Sequence, residues 1–268
     1  MNIASSLAVI LYLGSGILLL YRLFRQPDTP CAAKQGLLLP GLAAVALHGS
    51  VLYGSIFANP AGLDVGFFTI FSLVGWLVAL LLLLAAFRQP VECLGILVLP
   101  FTALALVLGQ LSGEHHYLPH GLAAGLKFHI IISILAYSLL SIAMVQALLL
   151  YIQDAQLHNK HPGGFIRAFP PLQTMEELLF RMIGLGFVVL SVSLVSGALF
   201  IEDLFAQHLV HKTILSISAW LLFAVLLWGR WRFGWRGRIA IRWAMTGFVL
   251  LMLAYFGSKF VIELVLQR

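Results

Sequence analysis

Eight stretches of this sequence are apolar for long enough to cross a lipid bilayer, at roughly 3–23, 36–56, 67–87, 91–111, 128–151, 178–201, 213–228 and 243–265. The seventh is the shortest. A crossing helix needs about 20 predominantly apolar residues, and a chain with 61% hydrophobic and 10% charged residues lies outside the composition of soluble domains. Within lipid every backbone N–H and C=O has to be paired inside the protein, which leaves helices or closed barrels. These runs are too long and alternate too little for barrel strands. The expected fold class is therefore all-α: a single integral membrane domain over 1–268, a polytopic bundle of about eight helices, with four in 1–111 and the rest in 112–268.

Lys and Arg in the short loops predict the orientation. Loops one, three, five and seven carry Arg22, Arg25, Lys34, Arg88, Lys160, Arg167, Arg181, Arg230, Arg232, Arg236, Arg238 and Arg242; the other side carries only Lys127, Lys212, Lys259 and Arg268. Both termini are thus expected outside the cytoplasm. The net charge of +6 is mostly this topology signal. The Arg-rich seventh loop suits anionic lipid headgroups, and no nucleic-acid partner is indicated. Met1–Ser5 lacks the basic flank of a signal peptide, so the first run is expected to be a retained helix. Cys31 and Cys93 fall on the cytoplasmic side, where thiols are expected to stay reduced.

Six of the nine histidines gather at the opposite face. His115, His116, His120 and His129 lie in and just beyond the stretch from Glu114 to His120, and His208 and His211 in the stretch from Glu202 to Lys212. His129, Ser133, Tyr137 and Ser141 recur every four residues and share one helix face, the candidate ligand-binding face. His208, His211, Leu215 and Ser218 share a face if the seventh helix starts near Asp203. His48 is the one ionisable side chain well inside a span; either a functional group or a neutral imidazole bonded to a neighbouring helix fits that position. His158 and His161 read as solvated loop residues.

Elsewhere the chain reads as scaffold. The third and fourth spans form a hairpin around Arg88-Gln89-Pro90, and Pro100 is expected to kink the fourth. Thr174-Met175-Glu176-Glu177 has the capping-box pattern for the start of the sixth helix, in which Ser191, Ser193, Ser196 and Gly197 supply small polar packing residues. No Asp or Glu stands in the middle of a run, which argues against an ion-coupled transporter. No Cys-x-x-Cys-His occurs, so no covalently attached c-type haem is expected.

The segments Leu172–Glu176, Arg181, Gly186-Phe187, Ser196–Ala198, Lys212, Trp220, Ala224, Gly234–Arg238, Gly247-Phe248 and Tyr255–Gly257 together resemble the cytochrome c assembly family of haem-handling membrane proteins. Ala46–Gly49, Ser72–Trp76 and Leu99-Pro100 look like its HemX and YpjD-type bacterial inner-membrane branch. On this resemblance 112–268 is the assembly-like half, and Phe128-His129-Ile130 with Ser133 and Tyr137 is similar to the family's outward-facing haem-ligand histidine and its helix. Two departures bear on activity. Leu209-Val210-His211-Lys212 stands where CcsA-type members end a tryptophan-rich motif in Trp-Asp-Pro-Lys, and no histidine follows His211. The resemblance therefore implies haem handling without covalent attachment, and no enzyme.

Haem is an apolar ring with two axial positions and two anionic propionates, so its site needs an apolar slot, neutral imidazoles and nearby cations. The expected cofactor is non-covalent haem b, held by His129 and His211 as iron ligands, with His48 as the alternative partner and Lys127 and Lys212 near the propionates. Besides the bilayer, the expected partners are other membrane assembly or transport proteins. Two other readings stay open: a non-haem accessory or scaffold protein, and a divalent-metal site built from His115, His116, His120 and His208.

Overall fold

The structure, a computed structural model, describes residues 2–25, 36, 38–56, 63–112, 117–118, 121–158, 169–200 and 207–257. Among these, eight helices are long and apolar enough to cross a membrane. The chain is a polytopic helical membrane protein. It divides into two compact units, residues 1–120 with 155–171, and residues 121–154 with 172–268.

Unit 1 contains α1 (Ile3–Arg25), α2 (Leu39–Ile56), α3 (Phe67–Ala86) and α4 (Gly95–Leu111), the last preceded by a 3-10 turn at Glu92–Leu94. Helix α1 packs on α2 and α4, and α3 packs on α4 and α2, closing a ring of four. Small residues permit the close approaches, since lipid supplies no hydrophobic drive between helices and packing has to hold them. A Cβ at Gly16 would lie 3.1 Å from the Pro100 ring, and one at Gly75 would lie 3.3 Å from Ala105 Cβ. Helix α4 continues through Pro100. Polar side chains bond inward: Trp76 Nε1 donates to the Val45 carbonyl at 2.8 Å and Thr102 Oγ1 to that of Gly75 at 3.1 Å. A two-residue antiparallel pair, β1 (Leu63–Asp64) with β2 (Tyr117–Leu118), joins the α2–α3 connection to the histidine-rich stretch.

Unit 2 contains α5 (Ala124–His158), α6 (Leu172–Phe200), α7 (Gln207–Phe233) and α8 (Gly237–Met252), which runs on into a π-helical turn at Leu253–Gly257. Helix α7 packs on α6 and α8, and Trp220 stacks on Phe187 with ring centroids 5.4 Å apart while its Nε1 donates to Ser191 Oγ at 2.8 Å. The α7–α8 turn depends on Gly234 and Gly237, whose φ of 68° and 55° lie in the left-handed region that glycine enters without a Cβ penalty.

Three expectations are corrected here. The seventh helix is not short: it has 27 residues, because the backbone pattern carries on through Trp231, Arg232 and Phe233 after the apolar run has ended. The sixth begins at Leu172, so Thr174 lies inside the helix; Pro170 and Pro171, which disfavour helix in the residue before each of them, set the boundary earlier. Cys93 is disulfide-bonded, against the expectation of a reduced thiol on that side, because bonding follows the geometry of the fold as well as the compartment. Cys31, the other cysteine of the sequence, lies outside the described residues.

The packing of α5 on α6 is tight at Gly186, where a Cβ would come within 2.7 Å of Leu140 Cδ2 and 2.8 Å of its Cγ. Gly186→Ala is expected to lower the thermal midpoint in detergent by an overpacking cost of about 1–3 kcal/mol. Leu140→Ala in the same background should recover part of that loss, giving a positive coupling in a double-mutant cycle.

Candidate functional site

Helices α5 and α6 meet through a small polar network near the start of α5. His129 Nδ1 lies 3.1 Å from the Ser193 carbonyl oxygen and 3.0 Å from Ser196 Oγ. Ser196 Oγ donates to that same carbonyl at 2.8 Å. Ser133 Oγ donates to the His129 carbonyl at 2.6 Å, and its oxygen is 2.7 Å from Ser193 Oγ. Ser193 and Ser196 are buried and His129 is half-buried.

These contacts set the tautomer. A carbonyl oxygen only accepts, so an unprotonated Nδ1 would point a lone pair at another lone pair across 3.1 Å. Nδ1 therefore carries the proton and donates it toward Ser193 and Ser196, and in the neutral ring Nε2 keeps its lone pair. No hydrogen bond to Nε2 is present among the described residues. A histidine whose second nitrogen donates to a backbone carbonyl is the usual arrangement of a metal-ligating imidazole.

Gly197 makes room for this. A Cβ at that position would lie 3.0 Å from His129 Cε1, so the ring rests on α6 at a place without a side chain. Gly125 and Phe200 bring the start of α5 and the end of α6 into direct contact, since a Cβ at 125 would collide with the Phe200 ring.

The remaining residues of the polar stripe on α5 have other surroundings. Tyr137 is 8% exposed and packs against Phe248, Tyr255 and Phe256, with centroids 5.3–6.3 Å away; its hydroxyl has no hydrogen-bond partner among the described residues. Ser141 Oγ returns to its own helix at the Tyr137 carbonyl, 2.8 Å. Lys127 is exposed, two residues before His129. His211 is exposed in the second turn of α7, followed by half-buried Lys212. No hydrogen bond or ring contact joins His211 to His129 among the described residues.

His48 belongs to unit 1 and is 0% exposed. Its Nε2 is 2.9 Å from Ser72 Oγ and its Nδ1 3.3 Å from the Tyr12 hydroxyl, so both nitrogens are engaged within the protein. His158 is exposed at the end of α5. His115, His116, His120 and His161 lie outside the described residues, as does the His208 side chain. Among the described residues no three His, Cys, Asp or Glu side chains are grouped as a metal site would require.

A second constellation fastens the other end of unit 2. Buried Glu176 accepts the Gly237 N–H at 2.6 Å, placing a carboxylate on the first residue of α8, where unpaired N–H groups favour negative charge. Arg238 Nε donates to Asp154 Oδ2 of α5 at 2.9 Å, and the Arg230 guanidinium lies 4.7 Å from the centre of the Phe180 ring. The sequence pattern assigns Glu176 to the cap of its own helix; in the structure it accepts from the start of α8 instead. Ser193 and Ser196, packing residues by sequence, are hydrogen-bond partners of His129 and Ser133 in the structure. Their spacing of three, opposite a histidine with Ser133 one turn later, is the signal that points to their role.

An α-helical membrane bundle with one imidazole nitrogen fixed by a carbonyl and the other left as a lone pair defines a candidate ligand-binding membrane protein. Residues 37–266 match the cytochrome C assembly protein family, and the chain belongs to that family. It is 32% identical to the inner membrane protein YpjD of Escherichia coli K12 over 230 residues, 85% of this chain and 87% of the relative. An uncharacterized 28.8 kDa protein of Azospirillum brasilense is 34% identical over 53% of each chain. The cytochrome c biogenesis protein CcsA of Gloeobacter violaceus is 31% identical over 38% of this chain and 30% of its own. No solved structure matches.

The Glu176 contact gives a stability prediction. Glu176→Ala strands the Gly237 N–H and is expected to cost about 1–3 kcal/mol of unfolding free energy in detergent, while Glu176→Gln keeps an acceptor oxygen and should lose less. Equal losses in the two variants would show that the carboxylate does not cap α8.

Proposed function

We propose that this protein is an inner-membrane haem handler that holds non-covalent haem b through His129 Nε2 at the outer face, and relays it without catalysing covalent attachment. The observation that carries the reading is the bond from His129 Nδ1 to the Ser193 carbonyl, which leaves the tautomer able to ligate iron. Haem, when bound, would supply an iron that such a nitrogen can ligate. The residues present suit it: a neutral imidazole, exposed apolar Phe128, Ile131 and Phe200 beside it on α5 and α6, and Lys127 nearby in sequence for a propionate.

His211 is the proposed second ligand, on a helix that packs directly on α6. The family and its relatives named for cytochrome c biogenesis support haem as the ligand, and YpjD supports the inner membrane as the location. Other membrane assembly or transport proteins are the proposed recipients. The purified protein, reconstituted with haem, should show a low-spin spectrum with a sharp reduced α-band. His129→Ala or His211→Ala should open one face and shift it toward high spin, and Ser196→Ala should weaken haem affinity by about tenfold or more through loss of ring orientation. His158→Ala should leave the spectrum unchanged. A preparation that retains no haem once the excess supplied has been removed would favour the scaffold reading.

The proposed orientation, both termini outside, is supported by the Lys and Arg distribution. A C-terminal alkaline phosphatase fusion should be active and a cytoplasmic reporter at the same place inactive; the reverse pair would move the His129 site to the cytosol. The Cys93 disulfide stands at the end this orientation assigns to the cytoplasm, so the fusions also decide which compartment that bond faces.

A further inference from the structure

Helices α7 and α8 are both long and apolar enough to cross a bilayer, and only residues 234–236 separate them. Their connection therefore lies at a membrane surface, whichever compartment it faces. The chain places Arg230, Arg232, Arg236, Arg238 and Arg242 in and beside it, with no lysine among them and no Asp or Glu between Asp203 and Glu263. Asp154 pairs with Arg238 at 2.9 Å, and Glu176 accepts the Gly237 N–H at 2.6 Å. With both acids set against the five arginines, positive charge remains in excess.

The backbone of the connection is tied down. Gly234 N–H donates to the Arg230 carbonyl at 3.1 Å and Trp235 N–H to that of Gly229 at 3.3 Å, and the Trp235 ring occupies space that a Cβ at Gly229 would need. Arg230 is taken up in this turn, donating to the Trp235 carbonyl at 3.2 Å. Trp228 meets Phe233 edge to face, and Phe233 stacks on Trp235. Even so, Trp228, Trp231 and Phe233 are 54%, 83% and 61% exposed, and Arg232, Arg236 and Arg242 are exposed among and beyond them. Indole rings favour the boundary between hydrocarbon and water, and a guanidinium can hold two phosphate oxygens at once. Setting a topology asks only for positive charge in a loop; it does not ask for arginine throughout, nor for exposed aromatic rings on a fixed turn.

We propose that the α7–α8 connection is a binding surface for the headgroup phosphate of an anionic phospholipid, held by Arg232, Arg236 and Arg242 with the Trp231 ring beside it. The exposed rings decide between lipid and a soluble anion, because they offer apolar surface that acyl chains cover and a free phosphate does not. Glu176 already occupies the first N–H of α8, so the side chains and not the helix terminus make the surface. The inference involves neither His129 nor the orientation of the chain, and it stands apart from the haem reading.

The test uses the full chain in an uncharged detergent, with thermal midpoints followed as phosphatidylglycerol or phosphatidylcholine of the same acyl chains is added. Phosphatidylglycerol should raise the midpoint by about 5 °C in a saturable way, as a ligand of the native state does; phosphatidylcholine and inorganic phosphate should not. Arg232→Gln combined with Arg236→Gln should move the half-saturating lipid fraction upward by about tenfold or more. Arg25→Gln combined with Arg88→Gln removes the same charge from exposed positions of unit 1 and should leave that fraction unchanged. If the Arg232 and Arg236 pair of changes prevents folding, Arg242→Gln decides, with a several-fold shift expected. Equal rises with the two lipids, a rise with inorganic phosphate alone, a wild-type response in the α7–α8 variants, or the same loss from the unit 1 pair would overturn the proposal.

Discussion

The bond from His129 Nδ1 to the Ser193 carbonyl, 3.1 Å long, is the contact on which the functional reading depends. A carbonyl oxygen has no proton to give, so its neighbour has to be the donor, and the opposite nitrogen of a neutral ring is left basic. Ser196 holds the same carbonyl and Ser133 connects the serine side chain of residue 193 back to α5. Gly197 leaves the space in which the ring lies. Removing any of these leaves an imidazole in place and loses control of the direction its lone pair faces.

The two units treat a helical histidine in opposite ways. His48 spends both nitrogens on Tyr12 and Ser72, the outcome expected where water is absent and an unpaired polar group costs several kcal/mol. His129 spends one, near a helix end, and keeps the other. The contrast makes His48 a holding group in this structure and His129 the ligand candidate.

Much of the architecture was legible in the sequence, for a physical reason: spanning helices must be apolar throughout, and runs of about 20 such residues have few other uses. Their ends were less so. Arg232 and the segment from Gln153 to His158 are polar yet helical, because a helix that has left the apolar layer needs no further hydrophobicity. Thr174 matched a cap pattern that Pro170 and Pro171 overrode. The burial of Asp64 is not legible in the sequence, since a single acid before an apolar run carries no periodic signal. His129 was identified, but its partners Ser193 and Ser196 belong to another helix, and one sequence does not say which faces meet. Tyr137 and Ser141 shared its stripe and proved to pack or to bond within α5.

The most direct measurement of the central claim is the nitrogen-15 spectrum of histidine-labelled protein without haem, with His129 assigned by comparison with His129→Gln. The account predicts, at neutral pH, a protonated pyrrole-type Nδ1 and an unprotonated pyridine-type Nε2 for this ring. A His129 signal showing the Nε2-protonated tautomer, or a ring exchanging freely between the two, would contradict it.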